Sequence, residues 1–238
     1  MIYAEILAGG SGTRMGNTDM PKQFLMLGDK PIIIHTIEQF LLVEQIAKII
    51  IGCPKDWMQY VKDLIVKYIG IEDKIVIIEG GKDRNGTIMN ACDYIEKTYG
   101  LTDEDVIITH DAVRPFVNYR IIMDNIKESK KCDAVDTIIP AADTIVESKD
   151  GKVLSDIPRR DFLYLGQTPQ TFNIKKLMIT FDSLTEDEKK ILTDACKIFV
   201  TKNKKVGFVK GEEFNLKITT MHDLKLANAI LEVGLKND

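Results

Sequence analysis

The chain has 238 residues, 45% hydrophobic and 29% charged, with a formal net charge of −4. This length can bury a full core in one large domain or two small ones. A slightly acidic chain without a basic patch excludes a nucleic-acid surface, and no apolar run reaches membrane-spanning length.

The first apolar segment, "IYAEIL" (2–7), opens at the second residue and reads as a strand, so no secretory leader is expected and the protein is assigned to the cytoplasm. It runs into a glycine-rich loop, "AGGSGTRMG" (8–16), followed by "MPKQF". Residues 31–43 form a helical pattern with Pro31 as its first helical residue. A strand at 48–53 follows. The helix at 55–69 places Trp57, Tyr60, Val61, Leu64, Ile65 and Tyr68 on one packing stripe. The strand at 74–79 leads into "EGGKDRNGT" (79–87) and a helix over 85–99 that stops at Gly100. The strand at 105–110 leads into "HDAVRPF" (110–116), an amphipathic helix over 119–131 and a strand at 134–139.

From about 140 to 170 the pattern changes. Two alternating segments flank "KDGK", whose Asp-Gly pair signals a hairpin turn, and the region reads as an arm projecting from the sheet. Helices are expected over 173–183 and 186–197, a strand in "KVGFVKG" and a last helix over "MHDLKLANAILEVGL". The basic run "TKNKKVGFVK" reads as a solvated turn entering that strand. The four cysteines, Cys53, Cys92, Cys132 and Cys196, show neither metal-ligand nor disulfide spacing.

Strands alternating with helices define an α/β fold, a doubly wound, mostly parallel sheet in a single domain over 1–238, with the arm as a subregion. Ligands of such sheets bind beyond the carboxyl ends of the strands, where the three polar loops converge. Neither standard phosphate loop fits the first of them. No glycine is followed by Lys-Ser or Lys-Thr, as a P-loop requires. The run from Gly10 is one residue too long for the dinucleotide fingerprint, and Asp29 precedes a helix instead of ending a second strand. An anion site remains the physical reading, against a plain strand–helix turn with surface charges. Small residues let backbone N–H groups approach a phosphate, Arg14 offers a planar fork and Lys22 a point charge.

Taken in order, "LAGGSGTRMG…PKQF", "GGKDRNGTI", "HDAVRPF", "GQTPQTF" and "NLKITT…DL" resemble the sugar- and polyol-phosphate cytidylyltransferases, the family of the 2-C-methyl-D-erythritol 4-phosphate and ribitol-5-phosphate enzymes, over residues 2 to about 230. "PKDWM", "DTIV", "GQTPQ" and "DACKI" are closer to the ribitol-5-phosphate branch of teichoic-acid synthesis; the isoprenoid enzyme is the alternative. The resemblance implies a Rossmann-like nucleotidyltransferase that joins CTP to a polyol phosphate and releases pyrophosphate, with Mg2+ as cofactor. The non-catalytic alternative is a nucleotide-binding module.

The resemblance also implies roles. Leu7, Ala8, Gly9 and Gly10 hold the nucleotide, with Ala8 near the base. Gly81, Lys82, Asp83, Arg84, Asn85, Gly86 and Thr87 contact base and ribose, although Arg84 is either structural or a ligand contact. Thr87 replaces a more usual serine. Arg14 and Lys22 stabilise the transition state. Asp111 holds the metal, with Asp83 as a second ligand or only a polar loop residue, and Ala112 lies against the nucleotide. Arg114 locks its loop or meets the acceptor, Lys217 serves acceptor and α-phosphate, and Arg160 reaches the acceptor from a partner subunit, with neighbouring Arg159 a competitor. Asp143 and Thr144 meet acceptor hydroxyls, and Asp194 caps a turn or supports the site. Phe214 stands where methylerythritol enzymes often carry an acid, which favours ribitol phosphate. His35, His110 and His222 read as structural or surface residues. The arm implies a homodimer, because it cannot bury an apolar face alone; a partner reductase is a further possibility.

Overall fold

The computed structural model describes residues 1–10 and 20–236. In chain order the strands are β1 (Ile2–Leu7), β2 (Met26–Leu27), β3 (Lys30–Pro31), β4 (Ile46–Cys53), β5 (Ile75–Glu79), β6 (Val106–Asp111), β7 (Ala134–Pro140), β8 (Tyr164–Asn173) and β9 (Gly207–Lys210). The helices are α1 (Ile32–Leu41), α2 (Met58–Tyr68), α3 (Arg84–Tyr99), α4 (Tyr119–Glu128), α5 (Ile174–Asp182), α6 (Glu186–Lys190), α7 (Cys196–Thr201) and α8 (Met221–Lys236).

Among the described residues, seven strands form one sheet in the order β5-β4-β1-β6-β8-β7-β9. Side-chain alternation along these strands feeds two cores. Ala4 and Ile6 of β1, Ile49 and Ile51 of β4 and Ile108 of β6 pack under α1, α2 and α4. Tyr3, Ile50 and Ile107 point the other way, under α3, α5 and α7. Each fully buried isoleucine contributes about 1.5–3 kcal/mol, so covering both faces is the solution such isoleucine-rich strands demand. The short β2–β3 ribbon turns through Gly28 at φ 62° and packs Leu27 against α8 through Ala227.

Two expectations are corrected. Pro31 is not the first helical residue: at ψ 146° it is extended and precedes α1. The expected helix over 186–197 is two short helices, because Asp194 turns its carboxylate onto the Cys196 N–H at 2.8 Å and breaks the ladder.

The sequence reading also missed β8, which runs antiparallel between β6 and β7. Its register explains how a central strand accommodates Pro169. Pairing with β6 ends at Thr109–Gln170, while pairing with β7 jumps from Val135–Thr171 to Thr137–Gln167. Thr168, Pro169 and Gln170 therefore leave the β7 ladder, and Thr168 and Pro169 also lie beyond the last β6 pair, where a proline needs no N–H.

The arm leaves the sheet at Pro140 and returns at Tyr164, and these two residues pair with each other. Its turn is at Gly151 (φ 69°), where Asp150 accepts from the Lys152 and Val153 N–H groups. The flanking segments meet in a single bridge, Glu147–Asp156, and not in the regular hairpin expected.

Candidate active site

The carboxyl ends of β1, β5 and β6 open onto a cleft of about 340 Å3. The chain steps outward from β1 to β4 and β5 on one side, then crosses back to β6 on the other. That reversal leaves a crevice between the diverging connections.

One wall is the loop before α3. Gly81 N–H donates to the Thr87 hydroxyl at 3.0 Å, and that hydroxyl donates to the Asp83 carbonyl at 2.8 Å. The Asp83 carboxylate caps α3 by accepting from Gly86 N–H at 2.7 Å. A Cβ on Gly81 would run into the backbone of Gly86 and Thr87. The result is a tight loop that presents the N-terminus of a 16-residue helix to the cleft.

The floor is Asp111, the last residue of β6 and only 6% exposed. Its Oδ2 lies 3.0 Å from Lys217 Nζ and 3.1 Å from Arg114 Nε; its Oδ1 faces Arg84 Nε at 3.8 Å. Burial pushes its pKa up, but the charges of Arg84, Lys217 and Arg114 outweigh burial and hold the carboxyl well below the usual carboxylate range. Lys22 lines the cleft from a short 3-10 turn, Lys22–Phe24. Next to it Gln23, which sequence reasoning passed over, fixes the end of β1 by donating to the Ala8 carbonyl at 2.7 Å.

Beneath Asp111 the histidine beside it is spoken for. His110 Nε2 meets the Arg114 carbonyl at 3.1 Å and Nδ1 meets the Thr168 hydroxyl at 3.0 Å. That hydroxyl also accepts from the Asp111 N–H at 3.1 Å. Burial lowers the His110 pKa to about 4, so the ring is neutral. It is the structural residue the sequence indicates.

Glu5, on β1, is fully buried, and neither of its oxygens has a hydrogen-bond partner. Burial raises its pKa to about 8, with Arg84 opposing. No sequence pattern marks this residue, since it looks like an outward position of an ordinary strand.

The structure gathers Leu7, Gly9, Gly10, Lys22 and Gly81 with Lys82, Asp83, Arg84, Thr87, Asp111 and Lys217 around one cleft. Arg14 lies outside the described residues. Ala8 and Ala112 point into the core below, at 1% exposure each. The backbone groups of Ala8 are spent on Gly52 and Gln23, so a contact from Ala8 to the base would need another route. Asn85 and Gly86 line a separate hollow toward α6. Arg114, expected either to lock its loop or to meet the acceptor, ties Asp111 to the Asn215 carbonyl. Arg160 donates to the Ala142 carbonyl within the arm, Arg159 pairs with Asp161, and Thr144 is exposed there. None of these three lines the cleft of its own chain.

Asp111 fits a divalent cation. It is ionised, it ends a strand at the floor of the cleft, and the Arg84 guanidinium stands 3.8 Å from its Oδ1 while Arg114 and Lys217 hold Oδ2. Asp83, which lines the same cleft, uses one carboxylate oxygen to cap α3. A different trio, Asp136, Asp194 and the Cys196 sulfur, brings ligand atoms within 4.8 Å of one another. There the Gln170 amide already donates to both carboxylates, which suits a hydrogen-bonded support.

The cleft lies at the switch point of an open α/β sheet and gathers Lys22, Arg84 and Lys217 beside a glycine-rich helix N-terminus. The family model of 2-C-methyl-D-erythritol 4-phosphate cytidylyltransferase (IspD) matches residues 2–233. The chain belongs to that family and is a cytidylyltransferase. Two solved structures are similar to it along nearly their whole length. One is 4-diphosphocytidyl-2C-methyl-D-erythritol synthase of Anaerococcus prevotii, at 28% identity and TM-score 0.79, covering 97% of this chain and 96% of that one. The other is 2-C-methyl-D-erythritol 4-phosphate cytidylyltransferase of Francisella tularensis, at 27% identity and TM-score 0.79, covering 95% and 98%.

Proposed function

We propose that the protein transfers the cytidylyl group of CTP to the phosphate of a small polyol phosphate. An acceptor phosphate oxygen attacks the α-phosphorus, the new P–O bond forms, and the bond to the β-phosphate breaks to release pyrophosphate. A phosphate monoester has its second pKa at about 6 and is mostly ionised at neutral pH, so the attack needs no general base. This agrees with a His110 that is buried, neutral and fully hydrogen-bonded. The task left to the chain is orientation and charge stabilisation.

Lys22 and Lys217 flank the cleft, and Arg14 is assigned the same role from the family's motif. These cations stabilise charge on the α-phosphoryl group and on the leaving pyrophosphate. The loop from Gly81 to Thr87 and the end of β1 at Leu7, Gly9 and Gly10 receive the nucleoside. Asp111 holds Mg2+, which when bound neutralises triphosphate oxygens. The observation that carries this reading is the Asp111 carboxylate, ionised and ringed by Arg84, Arg114 and Lys217 at the floor of a glycine-walled cleft.

The first candidate acceptor is 2-C-methyl-D-erythritol 4-phosphate, which stands in the names of the matching family and the Francisella structure, while the Anaerococcus structure is named for 4-diphosphocytidyl-2C-methyl-D-erythritol. A second reading, ribitol 5-phosphate, rests on Phe214. This aromatic ring, 43% exposed and three residues before Lys217, stands where methylerythritol enzymes often carry an acid. Pyrophosphate release from CTP, measured separately with each acceptor, tests both. Turnover with methylerythritol phosphate alone removes the second reading, turnover with ribitol phosphate alone removes the first, and no turnover with either removes the proposed acceptor class.

The arm exposes Val153, Leu154, Ile157 and Phe162, each 57% or more accessible. We assign this surface to a homodimer in which Arg160, and with it Thr144, serves the partner's acceptor site.

A further inference from the structure

Behind the cleft, Gln170, Asp136 and Asp194 form a buried to half-buried group to which the proposed reaction gives no role. Gln170 sits in the β8 bulge and is fully buried. Its Nε2 donates to Asp136 Oδ1 at 2.9 Å and to the two Asp194 oxygens at 2.9 and 2.8 Å. Its Oε1 accepts from Arg84 Nη2 at 2.9 Å. An amide in this position has one way round. Turned over, its oxygen would face two carboxylates and its NH2 would face a guanidinium. The two acids are themselves fixed, Asp136 by the Thr137 N–H at 2.9 Å and Asp194 by the Cys196 N–H at 2.8 Å.

Arg84 is held from behind by Gln170 and lies 3.8 Å from Asp111 in front, while its Nη1 is buried without a hydrogen-bond partner. It lines the cleft. An unpartnered guanidinium nitrogen is costly when buried, and a nucleotide oxygen in the cleft would satisfy it.

We infer that Gln170 is a positioning residue: oriented by Asp136 and Asp194, its amide aims Arg84 at the nucleotide. This rests on the reading that the cleft takes CTP.

The test uses the full chain and two variants. Gln170→Leu keeps the bulk and removes both the donor and the acceptor. Its KM for CTP, and the Kd for CTP by calorimetry, should rise roughly tenfold, the order expected for losing a hydrogen bond to a charged group, while KM for the acceptor stays within about twofold. Gln170→Glu covers the case in which the leucine variant fails to fold. The new carboxyl would face Asp136 of β7, Asp194 and Cys196 at the start of α7, and Arg84 of α3. Protonated, it copies the amide, with one donor toward the acids and one acceptor toward Arg84. Ionised, it adds a third negative charge. Its CTP affinity relative to wild type should therefore recover as the pH falls from 8 to 6.

Unchanged CTP affinity in folded Gln170→Leu, or a flat ratio for Gln170→Glu across that range, overturns the proposal while the functional reading stands. Equal losses for CTP and acceptor would mark a merely structural residue and also overturn it. Wild-type protein that neither binds nor turns over CTP would overturn the functional reading, and this inference with it.

Discussion

Lys22 and Lys217 reach the same cleft from opposite ends of the chain, one from a 3-10 turn after the first loop and the other from the segment before α8. A cation that meets charge only as it develops lowers the barrier without tightening ground-state binding. Lys22→Ala should therefore reduce kcat by roughly 10²–10³-fold, the scale for removing one charge-stabilising group, with a much smaller change in KM for CTP; steady-state pyrophosphate release reads both. Glu5 makes a different prediction. Its folded pKa near 8 lies above the ordinary 4.5, so stability is lost as the pH rises from 4.5 toward 8, when the unfolded chain releases a proton the fold retains. His110 acts in the opposite sense. Its folded pKa near 4 lies below 6.5, so stability is lost as the pH falls from 6.5 toward 4. Above pH 6.5 the His110 effect is spent while the Glu5 effect continues. Glu5→Gln should then gain about 2 kcal/mol over wild type between pH 6.5 and 8, read as the difference in urea midpoints at the two pH values.

At the scale of elements, the cleft depends on how strands hand over to loops. Gly81 has no room for a side chain against Gly86 and Thr87. Gly81→Ala must push the first turn of α3 away, at a cost of about 1–3 kcal/mol, and should weaken CTP binding at least tenfold by calorimetry. That glycine, Asp111 and Lys217 were legible in the sequence because each belongs to a local motif. So were the strands that hold them, because isoleucine-rich runs between helices have one economical arrangement. β8 was not legible. Its polar "GQTPQT" and Pro169 argue against a central strand, and the bulge that reconciles them is a property of the register with β7. The support behind the cleft was equally hidden, since Gln170 meets acids 34 and 24 residues away and Arg84 at a separation of 86. Arg84 could be read as structural or ligand-binding from the sequence, and its geometry shows one nitrogen hydrogen-bonded to Gln170 and another buried without a partner.

For the whole molecule, the exposed apolar arm predicts self-association. Light scattering should give twice the 26.9 kDa chain mass, and Ile157→Asp with Phe162→Asp should shift it toward the monomer. If Arg160 serves the partner's site, the same double variant should also raise KM for the acceptor more than KM for CTP. Among the described residues the arm joins the sheet at its base. Pro140 pairs with Tyr164, and the Ala141 N–H donates to the Leu163 carbonyl at 3.0 Å, so its two ends leave the sheet side by side. A short turn joining those neighbours would close the same β7–β8 hairpin with no strand displaced. A loop of different length or composition can therefore replace the arm while the strands that carry the cleft keep their register.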